Sequence, residues 1–179
     1  MSDVLIFYGP VIGDIVARLM RNAEKRIYIM SQTVGHIGTI HVGDRKIYVG
    51  LIDILKAKAR SGVEVCLILK DPNNLNFRSE EKRRSYMELL DELAIAGVKI
   101  FFCWHMHMKV IIIDGIAIVG SANLTLTGMK GLGEIAVVLE DRRYVDALVR
   151  AHKALRKRQH EICFVCEKRK DKMCGYYSL

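Results

Sequence analysis

The sequence lacks the features that would place it in a membrane, in an export pathway or among low-complexity proteins. Its apolar runs, such as residues 110–113 and 116–119, have the length of strands, whereas a helix that spans a bilayer needs about 20 apolar residues. The first ten residues contain no basic segment followed by an apolar run and a small-residue cleavage site. We therefore expect a cytoplasmic protein with no membrane partner.

The composition that is present favours a globular protein with an acidic partner. At 179 residues, of which 51% are hydrophobic, the chain can form one domain with a buried core. Its formal net charge of +8 favours a polyanion such as nucleic acid, because each phosphate that Lys or Arg neutralises releases condensed counterions. Charge alone does not specify an activity.

Apolar residues at helical spacing precede a short apolar run three times along the chain. Such helix-to-strand units predict parallel strands covered by helices. The three units comprise residues 11–30, 51–69 and 86–103. Together with the hairpin described below, they predict an α/β fold in which a mixed, largely parallel sheet has helices on both faces.

A hairpin, a further strand and a last helix are expected after residue 108. Asp114 and Gly115 separate two apolar runs, and an Asp-Gly pair in that setting is a strong hairpin signal. Residues 134–139 have the composition of a strand, and residues 143–158 have the spacing of a helix. We expect a domain at 1–159 and a cysteine-containing tail at 160–179, and we interpret residues 31–48 as a long loop or hairpin.

Polar residues stand at fixed spacing around this hairpin. Residues two apart in a strand share a face, so we expect His107 and Lys109 to project together while Met106 and Met108 face the core. A lysine in an apolar strand is costly unless an anion is bound beside it, and a phosphate would satisfy it. Beyond the turn, the pattern adds a glycine that permits close approach and two side chains that can donate to phosphate oxygens: Gly120, Ser121 and Asn123.

The pattern His107-x-Lys109-x4-Asp114, followed by Gly120-Ser121-x-Asn123, resembles the HKD motif of the phospholipase D superfamily. The order of elements over residues 11–158 is also similar to the small bacterial endonucleases of that superfamily. The resemblance implies a phospholipase D-like fold and a phosphodiesterase, most simply a nuclease, that requires no metal or other cofactor for catalysis.

The resemblance also implies roles for the individual residues. His107 would act as the nucleophile or the general acid, with a phosphohistidine intermediate. Lys109 and Asn123 would hold the non-bridging oxygens. Asp114 or Glu134 would orient a histidine by accepting its second ring proton, and we favour Glu134 for this contact and a more structural role for Asp114.

One motif supplies one histidine, whereas the implied mechanism needs a nucleophile and an acid. The second histidine should come from another subunit, because a twofold axis can place two copies of His107 on either side of one phosphate. We therefore expect a homodimer.

Two further features have less specific interpretations. Lys70 ends a predicted strand at the edge where such folds collect their sites, so it is a candidate substrate-binding residue, although a solvated strand end explains it equally well. Four residues of the tail have spacing compatible with a structural zinc site, with free thiols or a disulfide as alternatives. These are His160, Cys163, Cys166 and Cys174.

Two other functions compete with a nuclease. A phospholipase or phosphatidyl transferase would favour an exposed apolar docking surface and usually two motifs in one chain. A nucleic-acid-binding module could keep the same pocket and cleave little. The complete set of His107, Lys109 and Asn123 argues against a loss of activity.

Overall fold

A computed structural model describes residues 4–35 and 50–158, together with the backbone of residues 40–42 and 45–47. The strands in chain order are β1 Leu5–Tyr8, β2 Arg26–Ser31, β3 Ile40–Val42, β4 Arg45–Ile47, β5 Glu64–Lys70, β6 Lys99–Cys103, β7 Val110–Ile113, β8 Ile116–Gly120 and β9 Ile135–Leu139. The helices are α1 Val11–Arg21, α2 Leu51–Arg60, α3 Glu80–Ile95, α4 Leu126–Lys130 and α5 Arg142–Arg156, and a 3₁₀ helix covers Pro72–Asn74.

The main sheet is mixed. Its order is β1-β9-β8-β7-β2-β5-β6, while β3 and β4 form a separate hairpin in the described part of the chain. β2, β5 and β6 pair in parallel, and each remaining neighbour pair is antiparallel. Only β7 and β9 therefore run against the common direction of the other described strands in this sheet. The predicted mixed, largely parallel α/β fold is confirmed.

Helices cover both faces of the sheet because successive side chains of each strand point to opposite sides. Ile27 and Ile29 of β2 pack in the core below α1, α2 and α3, whereas Tyr28 and Met30 pack in a second core below α5. The same alternation holds in β7, whose four residues are all buried. The two cores fix the register of the sheet, since a slip by one residue would exchange them.

The predicted hairpin is present, but its first strand is shorter than expected. β7 begins at Val110, so His107 and Lys109 lie before the strand instead of within it. Met106 is buried, as predicted, whereas the prediction for Met108 is wrong because its side chain is 46% exposed. Residues 106–109 therefore leave the edge of the sheet without the alternation that a strand would impose.

The remaining expectations have mixed outcomes. The three helix-to-strand units and the strand near 134–139 are confirmed, and the last helix begins at Arg142 and ends at Arg156. No helix in the described residues is long and apolar enough to cross a membrane. The proposed tail at 160–179 lies outside the described residues, so the division of the chain at residue 159 stays a prediction.

Candidate active site

Apart from Asp114, the predicted site residues gather at one edge of the sheet, here called the motif edge. The carboxyl ends of β2, β5, β6 and β8 meet there with the amino ends of β7 and β9. The register shows this directly, because Met30 pairs with Val110, Val110 with Val119, and Gly120 with Ala136. The segments that extend beyond these pairs carry His107, Lys109, Ser121 and Glu134.

The side chain of His107 is exposed, and that of Lys109 is half-buried. The imidazole of His107 is exposed and makes no hydrogen bond within the described residues. The ammonium of Lys109 donates to the backbone oxygen of His107 at 2.7 Å. Burial lowers the pKa of Lys109, while the negative charge of Glu134 acts in the opposite direction. A bound phosphate would offset this desolvation, since it would supply an anion in direct contact with the ammonium.

A small apolar pocket lies beside Lys109. Its wall is formed by side chains of α1, the sheet and the segment around α4, and it includes Ile12, Val16, Ile111 and Met129. Apolar walls weaken the screening of nearby charges, so an anion at Lys109 would interact with the ammonium more strongly than in water.

Ser121 and Glu134 form a contact within the chain. The hydroxyl of Ser121 donates to the carboxylate of Glu134 and accepts the N–H of Ile135 at 3.1 Å. The backbone N–H of Ser121 also donates to the oxygen of Ile135 at 3.0 Å. The expectation that the Ser121 hydroxyl donates to phosphate therefore has a competitor, because its proton is directed at Glu134. The expected contact between Glu134 and His107 is not formed in the described residues.

Gly120 is needed for packing between β8 and β9. A Cβ atom at this position would lie 2.3 Å from the backbone oxygen of Ile135 and 3.0 Å from the Cα of Ala136. A side chain would therefore push β9 and Glu134 away from the motif. The close approach predicted for Gly120 is made to β9, and a role of Gly120 in substrate binding stays a prediction.

Asn123 is oriented by the end of β2. Its side-chain oxygen accepts the N–H of Gln32 at 3.2 Å and lies 3.3 Å from the hydroxyl of Ser31, which also donates to the nearer backbone oxygen of Thr33 at 2.8 Å. Ser31 is buried and also accepts the N–H of Leu124 at 3.2 Å. This arrangement leaves the NH2 group of Asn123 to donate to a ligand. Ser31 and Gln32 were missed by the sequence analysis, and the one available signal was a serine at the end of an apolar strand.

Asp114 is the predicted site residue that the structure does not bring to the motif edge. It lies in the turn at the far end of β7, where its carboxylate accepts the backbone N–H groups of Glu24, Lys25 and Arg26 at 2.9 to 3.0 Å. Burial would raise the pKa of Asp114, but these three donors and the charge of Arg26 outweigh it and lower the pKa. The geometry therefore gives Asp114 a structural role and corrects its inclusion among the catalytic residues.

Lys70 does lie at the motif edge. It is the last residue of β5, its N–H donates to the oxygen of Gln32 at 3.2 Å, and it is paired with Cys103 of β6. Two strand spacings separate β5 from β7, which corresponds to about 10 Å. Lys70 is thus placed to contact a substrate that extends beyond a phosphate at Lys109.

The described part of the chain contains no cluster of metal-ligating side chains at this edge. Within residues 4–35 and 50–158 the structure contains no group of three or more His, Cys, Asp or Glu side chains that could hold a metal ion. The predicted zinc ligands His160, Cys163, Cys166 and Cys174 lie outside the described residues, so that site stays a prediction.

Comparison with known protein sequences identifies one family and one relative. A family model described as "Cardiolipin synthase, PLD-like domain" matches residues 16–156. The protein named "Probable cardiolipin synthase YwiE" from Bacillus subtilis (strain 168) is 34% identical over 97 residues, which cover 52% of this chain and 19% of YwiE. The chain therefore spans about a fifth of the length of that relative.

Solved structures give similarity over much larger shares of both chains. Nuc from Salmonella typhimurium, described as a phospholipase D family member, superposes on this chain with a TM-score of 0.68 at 18% identity. The alignment covers 90% of this chain and 98% of Nuc. NucT from Helicobacter pylori gives a TM-score of 0.66 at 17% identity, and this alignment covers 89% of this chain and 98% of NucT. At these identities the similarity concerns the fold.

Proposed function

Because the chain belongs to the "Cardiolipin synthase, PLD-like domain" family of the phospholipase D superfamily, we propose that it is a metal-independent phosphodiesterase that hydrolyses nucleic acid. The observation that carries the proposal is the exposed imidazole of His107 at one sheet edge, with the half-buried ammonium of Lys109 bonded to the backbone oxygen of the same residue. Within the described residues the Lys109 ammonium is hydrogen-bonded to a backbone oxygen and forms no ion pair. A phosphodiester supplies both the electrophilic phosphorus and an anion that can contact this ammonium directly.

The proposed reaction has two steps. A ring nitrogen of His107 attacks phosphorus, the bond from phosphorus to the leaving oxygen breaks, and a second histidine gives that oxygen a proton. The same second histidine then takes a proton from water, whose oxygen attacks the phosphohistidine and releases His107. Lys109 and the NH2 group of Asn123 stabilise the charge on the non-bridging oxygens in both steps.

The second histidine is proposed to be His107 of another copy of the chain. Within the described residues the HKD pattern occurs once, and the other histidine of that segment, His105, lies in the turn after β6 instead of beside Lys109. His107 is exposed at the edge, so a twofold axis can bring two copies together without unfolding either. Glu134, held by Ser121, is proposed to orient one of these rings.

Two observations support nucleic acid as the substrate. The net charge of +8 favours a polyanion over a substrate with one phosphate. In addition, the fold matches nearly the full length of Nuc and NucT, whereas the chain covers only 19% of YwiE. The cytoplasm is the proposed location.

Phosphatidyl transfer is the second candidate function. It is favoured by the name of the curated relative and by exposed apolar side chains on both sides of the site, namely Met108 and Leu132. In this reaction an alcohol would replace water in the second step, so the first step and the role of His107 would be unchanged.

One assay separates these functions. Labelled DNA, labelled RNA and phosphatidylglycerol vesicles are incubated in excess chelator with the wild type and with His107→Ala. We expect the wild type to cleave nucleic acid and the variant to lose about 10⁴-fold of the rate, because both proton transfer and nucleophilic attack depend on this ring. Cleavage that stops with chelator, or that survives the substitution, would refute the mechanism, and transfer on vesicles alone would favour the second candidate.

The dimer is tested by sedimentation at the concentrations used for the assay. We expect a dimer whose dissociation on dilution parallels the loss of rate. Full activity from a monomer would mean that the second histidine comes from the same chain.

A further inference from the structure

Trp104 is the only tryptophan in the sequence, and its side chain is 53% exposed at the motif edge. It directly follows Cys103, the last residue of β6, and it precedes His107 by three residues. Three residues span at most about 10 Å. The indole is therefore within reach of the groups that flank a phosphate held at His107, and the reaction proposed above assigns it no task.

The turn that carries Trp104 is anchored on both sides. The backbone oxygen of Cys103 accepts the N–H groups of Asp71 and Met106, each at 3.2 Å, and Met106 is buried. The ring of His105 meets the indole edge-on, with the ring centroids 6.4 Å apart. Single exposed apolar side chains are common on protein surfaces, so it is the fixed placement beside the site, more than exposure, that indicates a binding role.

Basic side chains lie next to this turn. Lys70 is the strand partner of Cys103, and the chain passes from Lys70 through the 3₁₀ helix to the start of α3. The guanidinium of Arg83 donates to the side-chain oxygen of Asn73 at 3.1 Å, which ties that start to the segment after β5. Exposed cations in the first two turns of α3 are Lys82, Arg83 and Arg84.

The position of Lys82, the first of these cations, is unfavourable for the helix itself. The amino end of a helix has a partial positive charge, so cations there destabilise the helix, and acidic residues are preferred. Glu80 and Glu81 meet that preference, and Glu80 pairs with Arg83 at 3.7 Å, whereas the cation Lys82 also lies in the first turn. An anion bound at this end of α3 would interact favourably with both the cations and the helix dipole.

Taking the proposed nuclease function as its basis, we propose that Trp104 stacks on the base next to the phosphate at His107, while Lys70 and the cations of α3 contact the backbone beyond it. An exposed aromatic ring beside a basic surface is the combination that binds single strands, since every base has a π face. A base must be unpaired to stack in this way. Trp104 would therefore favour single-stranded nucleic acid over a duplex and over a lipid phosphodiester, which has no base.

The kinetic test uses two substrates of equal charge, a labelled single-stranded oligodeoxynucleotide and an abasic phosphodiester chain of the same length, in excess chelator. We expect Trp104→Ala to raise KM for the oligodeoxynucleotide about tenfold and to leave cleavage of the abasic chain unchanged. Trp104→Phe keeps an aromatic face and should remain near the wild type. Tyr144→Ala is the matched control, because Tyr144 is also an aromatic residue that is 53% exposed but lies on α5, beyond the opposite end of β9.

A binding test uses the fluorescence of the single tryptophan and does not depend on turnover. In the His107→Ala variant, the oligodeoxynucleotide should quench the emission, whereas the abasic chain should not and a duplex should do so less. Unchanged emission together with an unchanged KM would overturn the stacking role. An equal loss of cleavage on both substrates would also overturn it, because Trp104 would then act only through the structure of the site. Quenching by the oligodeoxynucleotide with no cleavage by the wild type would refute the nuclease and leave the stacking role supported.

Discussion

Charged side chains have different hydrogen-bond partners at the two edges of the sheet. At the motif edge, His107 is exposed and Lys109 has a backbone oxygen as its partner. At the opposite edge, each carboxylate described below has several donors within the chain. The same sheet therefore leaves charge available to a ligand on one side and neutralises it internally on the other.

Glu64 is the centre of one internal network at the opposite edge. Its carboxylate accepts the hydroxyl of Tyr28, the ammonium of Lys99 at 3.2 Å and the guanidinium of Arg156 at 3.1 Å. Burial alone would raise the pKa of Glu64, but these donors lower it to about 2. Through Arg156 the network joins α5 to β5 and β6.

Asp114 forms the second network of that edge, with three backbone N–H groups as donors. Donors of this kind cannot rearrange when a ligand arrives, because the backbone that carries them enters β2. The charged residues of the motif therefore have two uses: Asp114 holds the hairpin in place, and the hairpin presents His107 and Lys109 at the other edge.

Removing the charge at Lys109 should lower the rate strongly without lowering the stability of the fold. Lys109→Met keeps the length and the apolar stem of the side chain, so we expect kcat to fall about 10²- to 10³-fold, as when one preorganised donor to an oxyanion is lost. The free energy of unfolding should stay the same or rise, since a partly desolvated ammonium is removed. Parallel measurements of kcat and urea unfolding check this, and a loss of stability without a loss of rate would show that Lys109 is structural.

The next largest effect is a decrease in the free energy of unfolding at acid pH, which we attribute to His152. His152 is fully buried on α5 and stacks on Tyr28 with the ring centroids 4.4 Å apart. Burial lowers its pKa from 6.5 to about 4, so the unfolded chain takes up a proton first as the pH falls. We expect the free energy of unfolding to decrease by about 2 to 3 kcal/mol between pH 7 and pH 4.5 from this residue.

His152→Phe provides the control for that effect, because it keeps a ring beside Tyr28 and cannot be protonated. Urea unfolding at several pH values should show a shallower decrease between pH 6.5 and 4 for the variant than for the wild type. Equal slopes would mean that His152 does not cause the acid sensitivity.

The smallest expected effect is that of Asp114→Asn, which should lower the stability of the fold and leave the rate nearly unchanged. Asp114→Asn keeps the shape and tolerates the positive φ of 50° at this position, but it weakens three hydrogen bonds to a charged acceptor. We expect a loss of about 1 to 2 kcal/mol of stability and a kcat close to that of the wild type at a temperature where both are folded. A large fall in kcat without a loss of stability would return Asp114 to the catalytic residues.

The parts of the fold that could be predicted are those in which apolar residues recur at regular spacing along the sequence. The helix-to-strand units and the Asp114-Gly115 hairpin were found because their apolar residues recur at helical or strand spacing. β1 was missed because it is an edge strand with little burial on either face, and its four residues show no alternation. α4 was missed because five residues are too few to display a helical period.

The site residues could be predicted from spacing, but their partners could not. The contact of Asn123 with Ser31 joins positions 92 residues apart, and the contact of Ser121 with Glu134 depends on the register of β8 with β9. Neither is visible in a motif, which contains identities and intervals along the chain. The role of Asp114 was likewise decided by the amides of residues 24–26, which the turn meets only after the sheet has formed.

The central claim is that His107 forms a covalent bond to phosphorus. Its most direct test is mass spectrometry of the wild-type protein quenched in acid-free conditions during turnover of an oligodeoxynucleotide in excess chelator. The account predicts a phosphohistidine adduct of the substrate fragment at His107 that decays as product appears and is absent from His107→Ala. Rapid turnover with no adduct, or an adduct on any other residue, would contradict it.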